Sequence, residues 1–295
     1  MDIQVKARAK INLALDVIGK RDDGYHDLRM IMQTVYLHDQ LILKRTDDYP
    51  LRLACSEPRM PVDSRNLVYR AALYLKNKYK LPGGLSIFLR KNIPISAGLA
   101  GGSSDCAAVL IGINRMYKLG LSQDELMEIG VEFGADVPFC LLGGTALAEG
   151  KGEILTPLPP HPSISVVIAK PPVSMSTAAV FKAFDKIKDV QGPNIEQMIA
   201  DIKKKDVKGI ASGLCNVLEN VSIHKCHDIS AIKKLFMEAG AIGTLMSGSG
   251  PSVFAFFDDQ RHAWSTMKKI GTLMPHIKLF LTGTFNDELH PDVLH

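Results

Sequence analysis

The sequence predicts a mixed chain of strands and helices in two parts, and three observations carry that prediction. Residues 7–17 alternate in the period-two pattern of a strand, with Lys10, Asn12 and Ala14 on one face and Ile11, Leu13 and Leu15 on the other. After Gly101-Gly102, the residues Ala107, Leu110, Ile111, Ile113 and Tyr117 recur at helical spacing. Residues 157–162 hold four prolines and are the best linker candidate, which sets a boundary between 1–160 and 161–295. With 46% hydrophobic residues, either part can bury a core.

In chain order, residues 4–17 are the first expected strand, and a lone lysine such as Lys10 on a strand is ordinarily solvated. Residues 19–28 are a polar turn with Tyr25 and His26 side by side. That suits a hairpin loop. It equally suits recognition of a planar ring, since a tyrosine stacks and a histidine supplies a donor and an acceptor. Residues 31–43 read as a further strand pair, 66–75 as a helix, and 84–89 as the strand leading into a glycine-rich segment.

That segment passes from Pro94, Ile95, Ser96, Ala97, Gly98, Leu99 and Ala100 through Gly101, Gly102, Ser103 and Ser104 to Asp105. Its glycines permit backbone angles and close approaches that let successive N–H groups turn inward on an anion. A helix then runs from Cys106 to Tyr117, with Ser103, Ser104 or Asp105 as N-cap. Its unsatisfied first-turn N–H groups and positive dipole end face back into the loop, as a phosphate would require. The lysine of a P-loop is missing and the Rossmann spacing is not met. Three glycines alone suit a turn that binds nothing as well as they suit a phosphate cradle.

Ser122-Gln123-Asp124-Glu125 is a capping box opening a helix to about residue 133. In Gly134-Ala135-Asp136-Val137-Pro138-Phe139 a carboxylate stands among apolar residues. A helix cap or turn is the ordinary use of such an aspartate. A dry carboxylate needs a partner, and a lysine such as Lys10 would be one. Residues 141–148 read as a buried strand. Beyond the prolines come a strand at 164–169, a helix containing Phe181, and helices at 194–204, 211–218 and 232–239. Ser247-Gly248-Ser249-Gly250-Pro251 is then a turn between two strand-like runs, able to close over a phosphate or to serve as a plain hairpin. A helix at 264–271 and a strand at 277–283 follow.

Net charge is +4, with basic residues dispersed apart from Lys203-Lys204-Lys205, which suits a solvated helix face and argues against nucleic acid as partner. Five scattered cysteines, with no C-x-x-C pair, suggest neither a disulfide framework nor a zinc site. There is no run of 18 apolar residues and no apolar signal core at the N-terminus, so a cytoplasmic protein without membrane partners is expected.

Lys10-Ile11-Asn12-Leu13, the segment from Pro94 to Ser104 and Ser247-Gly248-Ser249-Gly250-Pro251 together resemble the three motifs of the GHMP kinase superfamily. Asp23-Gly24-Tyr25-His26 and the Asp136 turn bring the likeness closest to members that phosphorylate a cytidine diphosphate conjugate, and it spans essentially the whole chain in order. The resemblance implies a two-domain α+β fold. The N-terminal domain would be like the second domain of ribosomal protein S5 and the C-terminal one ferredoxin-like, with the site between them.

The implied reaction moves the γ-phosphoryl of ATP, with Mg²⁺, to the 2-hydroxyl of a methylerythritol moiety on the route to isoprenoid precursors. By likeness Asp136 is the base and Lys10 its cationic partner. Residues 94–104 hold the ATP phosphates, with Asn66 and Leu67 near adenine. Tyr25 and Phe181 stack the cytosine, His26 reads it, Asn12 and Thr177 are neighbouring substrate contacts, and residues 247–250 close the loop. The ligands of the metal are left open, and the expected partners are small molecules.

Two residues depart from the pattern. Ala100 stands where relatives have glycine, so no positive φ is expected there. Asp105 stands where relatives often have asparagine, and a helix cap or a metal contact is expected of it. Another small-alcohol kinase, mevalonate- or homoserine-kinase-like, is disfavoured by Tyr25, His26 and Phe181, since its substrate has no base to stack. A non-enzymatic nucleotide-binding module is disfavoured by Lys10 and Asp136.

Overall fold

The structure is a computed structural model that describes residues 2–47, 50–286 and 293–294. The first half runs β1 (Asp2–Lys20), β2 (His26–Thr46), β3 (Arg52–Cys55), α1 (Leu67–Lys78), β4 (Gly84–Arg90), α2 (Gly101–Met116), α3 (Gln123–Val131), α4 (Val137–Leu142), β5 (Thr145–Gly150) and β6 (Ile154–Pro157). The second runs β7 (Ser165–Lys170), α5 (Thr177–Phe184), α6 (Ile195–Lys204), α7 (Val207–Ser212), β8 (Cys215–Asn216), α8 (Glu219–Lys225) and α9 (Asp228–Glu238). It ends with β9 (Gly243–Met246), β10 (Val253–Phe257), α10 (Gln260–Leu273), β11 (Lys278–Gly283) and β12 (Val293–Leu294).

Residues 31–43 belong to the single long strand β2 and are not a strand pair. Register shifts between Arg8 and Lys10, Asn12 and Ala14, and Val17 and Gly19 bend the β1–β2 ribbon. The bend lets the first part of β2 pair with β5 and the last part with β4. The sheet order is β12-β1-β2-β4-β3, with β5 and β6 joined through β2 and β8 parallel to β1. The second sheet is antiparallel, β11-β7-β10-β9, which in chain order is the last-first-third-second arrangement of a ferredoxin-like unit.

Two other expected elements change. Leu141 and Leu142 end helix α4, because Gly143 and Gly144 turn through φ of 73° and 66° before β5 begins at Thr145. The helix expected over 211–218 stops at Ser212 and gives way to β8. There the Asn216 amide donates to the carbonyls of Met246 and Gly248, both at 2.8 Å, and this replaces helical pairing. The capping box at Ser122 forms as expected.

One hydrophobic core lies under α1 and α2 on the first sheet, joining Val5, Leu41, Leu43 and Ile87 to Ala71, Leu75, Leu110 and Ile113. Another interior is shared across the proline segment: Ile11, Leu13 and Ile31 pack with Val166, Ile168, Leu245, Phe254 and Phe256. Burial at this shared interior holds the middle of β1 against the second sheet.

Candidate functional site

The glycine-rich loop is built differently from its sequence. Positive φ falls at Ser96 (51°), Gly98 (73°) and Ala100 (56°), and not at Gly101 or Gly102. The expectation for Ala100 is therefore corrected: its Cβ bears the left-handed turn that starts α2. Ser103, Ser104 and Asp105 are also not N-caps, since α2 begins at Gly101, Ala100 occupies the cap position, and no side chain bonds to the first turn. Ser104 Oγ instead donates to the Arg8 carbonyl at 2.6 Å. With no side-chain cap, the first N–H groups of this 16-residue helix are left for an anion.

Three distant segments meet at this loop. The Lys10 N–H donates to the Leu99 carbonyl at 3.2 Å, Ser247 Oγ donates to the Gly98 carbonyl at 2.8 Å, and the Asn12 N–H donates to Ser247 Oγ at 3.3 Å. Gly98 is obligatory here, because a Cβ would stand 2.1 Å from the Ser247 carbonyl oxygen. The turn at 247–250 thus packs on the loop itself.

Lys10 lies opposite Thr34 of β2 with its side chain 6% exposed, so the solvated reading does not hold. Its Nζ donates to Asn12 Oδ1 at 2.7 Å and sits 4.0 Å from Asp136 Oδ2. Asp136 holds the N-cap position of α4 without making a cap bond, and its carboxylate is 35% exposed. It is a reachable carboxylate beside a sheltered ammonium. Neighbouring Cys140 is buried, and that burial, aided by the Asp136 charge, pushes its thiol well above the ordinary range. All five cysteines are free thiols.

Sequence reasoning missed Lys91 and Asp39. Lys91 Nζ donates to Asp105 Oδ2 at 2.7 Å and to Asp39 Oδ2, and all three side chains are at most 6% exposed. Asp39 Oδ1 also accepts from the backbone N–H groups of Asn92 and Ile93. The network clamps the end of β4 to the first turns of α2. Asp105 is thereby not a cap: its Oδ2 is taken by Lys91, and its Oδ1 is buried without a hydrogen-bond partner among the described residues. Burial drives its carboxyl well above the usual range against the pull of Lys91, and Asp39 adds to the push. For Lys91, burial works against the charge, but the two carboxylates prevail and raise its pKa. No local periodicity marks this trio, since Asp39 is 52 residues from Lys91.

At the other end of the site His26 is 8% exposed and stacks on Phe181, ring centroids 4.8 Å apart and planes at 23°. Its Nε2 lies 2.6 Å from Asp185 Oδ1, and Asp185 Oδ2 accepts from Lys20 Nζ at 2.6 Å. Lys20 first, then His26, hold the Asp185 carboxyl below the usual range. Tyr25 stands apart, 62% exposed, with Lys151 Nζ 4.9 Å from its ring centre. Thr177 at the start of α5 bonds Ser249 at 3.0 Å, linking this end to the glycine–serine turn. Asn66 caps α1 through Val68 N–H, and Leu67 lies beside Gly102. A cavity of about 690 Å³ lined by Tyr36, His38, Asn92 and Asp258 lies away from these residues and includes none of those expected at the site. Among the described residues no helix is long and apolar enough to cross a membrane.

The family model for the GHMP kinases N terminal domain matches residues 66–144, and that for GHMP kinases C terminal matches 198–271. The 4-diphosphocytidyl-2-C-methyl-D-erythritol kinase of Lachnospira eligens is 52% identical over 259 residues, covering 88% of this chain and 90% of the relative. The enzyme of the same description from Clostridium botulinum strain Alaska E43 is 45% identical over 282 residues, covering 96% and 100%. A crystal structure of 4-(cytidine 5'-diphospho)-2C-methyl-D-erythritol kinase superimposes with a TM-score of 0.83 at 30% identity, covering 96% of this chain and all of that one. Homoserine kinase from Cytophaga hutchinsonii, at 21% identity and a TM-score of 0.77, shares the fold.

Proposed function

Because the chain belongs to the GHMP kinase family, on the branch of the 4-diphosphocytidyl-2-C-methyl-D-erythritol kinases, we propose that it transfers the γ-phosphoryl of ATP to the 2-hydroxyl of the methylerythritol unit of that conjugate, in the cytoplasm. The observation that carries the mechanism is the Lys10–Asp136 pair at 4.0 Å beside the Gly98 loop. Asp136 takes the proton from the attacking hydroxyl, and the Lys10 ammonium, held by Asn12, favours the developing alkoxide. The loop at 94–104 and the open N-terminus of α2 hold the phosphates, and phosphoryl transfer asks mainly for such positioning and charge neutralisation.

Among the described residues no three His, Cys, Asp or Glu side chains converge on a metal position. A divalent ion would reach the site on the phosphates of ATP, taking one or two protein oxygens, as Mg²⁺ does with nucleotides. Bound there, Mg²⁺ neutralises phosphate charge. Asn66 and Leu67, beside Gly102, border the nucleotide end, while Phe181 and His26 border the base end with Asn12 and Thr177 between.

The test is phosphorylation by purified protein with ATP and Mg²⁺ of three alcohols: the cytidyl conjugate, mevalonate and homoserine. Turnover of the cytidyl conjugate alone is expected; preferential turnover of either small alcohol would replace this reading with another GHMP kinase activity.

A further inference from the structure

Helix α5 presents Thr177, Phe181 and, at its C-cap, Asp185 at i, i+4 and i+8, hence on one face. That face touches both ends of the site: Thr177 bonds Ser249, Phe181 stacks on His26, and Asp185 bonds His26 and Lys20. The mechanism above gives Thr177 and Phe181 a place and leaves Asp185 none. We propose that Asp185 is the positioning residue that makes His26 selective for cytosine over uracil, by holding the imidazole with its proton on Nε2. The proposal rests on the base-binding reading of His26 and Phe181.

A carboxylate can only accept, so the ring nitrogen facing it must donate, and the Nε2–H of His26 points at Asp185 Oδ1 at 2.6 Å. Lys20 Nζ pairs with the other oxygen of the same carboxylate at 2.6 Å, which holds Asp185 in place under the ring. Nδ1 is then a bare acceptor, and no group among the described residues partners it. Stacking on Phe181 fixes the ring plane, which leaves Nδ1 a fixed direction. An acceptor in that position bonds the exocyclic amino group of cytosine. Uracil offers a carbonyl oxygen at the same edge, and two lone pairs would face each other. Without Asp185 the ring is free to take the opposite tautomer, whose Nδ1–H accommodates the uracil carbonyl. Asp185 therefore acts on selectivity through His26 and touches no substrate itself.

The experiment measures kcat/KM for the cytidyl substrate and for its uridyl counterpart in wild type, Asp185→Ala and Asp185→Asn, with KM for ATP alongside. Asp185→Ala is expected to narrow the cytosine-to-uracil ratio by about tenfold or more, the worth of one hydrogen bond, with KM for ATP unchanged. Asp185→Asn keeps an acceptor for Nε2–H and is expected to retain the ratio, which a purely structural loss would not allow. Nitrogen NMR of wild-type His26 is expected to show the Nε2–H tautomer. An unchanged ratio in Asp185→Ala, or an Nδ1–H tautomer in wild type, overturns the proposal. Phe181→Ala separates the two levels: an unaltered KM for the cytidyl substrate there would overturn the base-binding reading beneath it.

Discussion

At the scale of single residues, the site turns on a few atoms whose replacement has calculable effects. Asp136→Asn keeps the shape of the side chain and removes the basic oxygen. It is expected to lower kcat by about 10²–10⁴ with KM for both substrates little changed, since a positioned base contributes that range. A folded variant with near-normal kcat would show that proton removal lies elsewhere. Gly98 is the other sensitive point. Its φ is 73°, and an added Cβ would stand 2.1 Å from the Ser247 carbonyl oxygen, which leaves no room. Gly98→Ala should cost more than about 2 kcal/mol of stability, by strain and by displacing the 247–250 turn. Gly101→Ala meets side-chain atoms alone, Ile93 Cγ2 at 3.0 Å and Lys91 Nζ at 3.4 Å, with an ordinary φ, and should cost less. Thermal melting and ATP titration of both variants check the order. In the sequence the three glycines look equivalent, and Ala100 looks exempt from the left-handed region it occupies. Composition indicates where a loop can bend; the contact with Ser247, 149 residues away, decides where it must.

Among elements, what could be read early was what is coded locally. The capping box at Ser122, the strand carrying Lys10 and Asn12, and the helix after the glycines follow from patterns a few residues long. Ser122→Ala should remove the Oγ arm of the box while the backbone N–H of residue 122 keeps its bond to Glu125, cost about 1 kcal/mol in chemical denaturation, and leave both KM values unchanged because neither Ser122 nor Glu125 bonds a residue expected at the site. A rise in either KM would mean α3 supports the loop through α4. Elements set by distant pairing were misread. β8 exists because Asn216 caps the carbonyls of the 246–248 turn, and β2 is one strand because bulges in its ribbon let it serve two neighbours. Asp39, Lys91 and Asp185 escaped for the same reason. Each is an ordinary polar residue in its own segment and gains a role only from partners brought to it by the fold.

For the whole molecule, the proline run couples the two sheets. His161 is 2% exposed, its N–H donates to Thr145 Oγ1, its carbonyl accepts from Asn286, and its ring faces Phe256 at 5.7 Å. Nδ1–H donates to the Pro162 carbonyl while Nε2 is buried without a partner. Burial lowers its pKa from 6.5 to about 4. A depressed histidine takes up its proton more readily unfolded than folded, so stability is present above pH 6.5 and falls as pH drops toward 4. Over that window the loss approaches about 3 kcal/mol. His161→Leu should flatten this part of the profile, measured by urea unfolding at pH 7 and pH 4.5; an identical acid slope would place the sensitivity elsewhere. The pairing of β8 with β1 joins the halves in a second way. Ala14 and Leu15 receive their parallel neighbours Cys215 and Asn216 from about 200 residues downstream. At synthesis rates of about 5–20 residues per second, the strand that bears Lys10 and Asn12 therefore waits roughly 10–40 s on the ribosome before that part of its edge can be closed. Through that interval it is an open template for a neighbouring nascent chain.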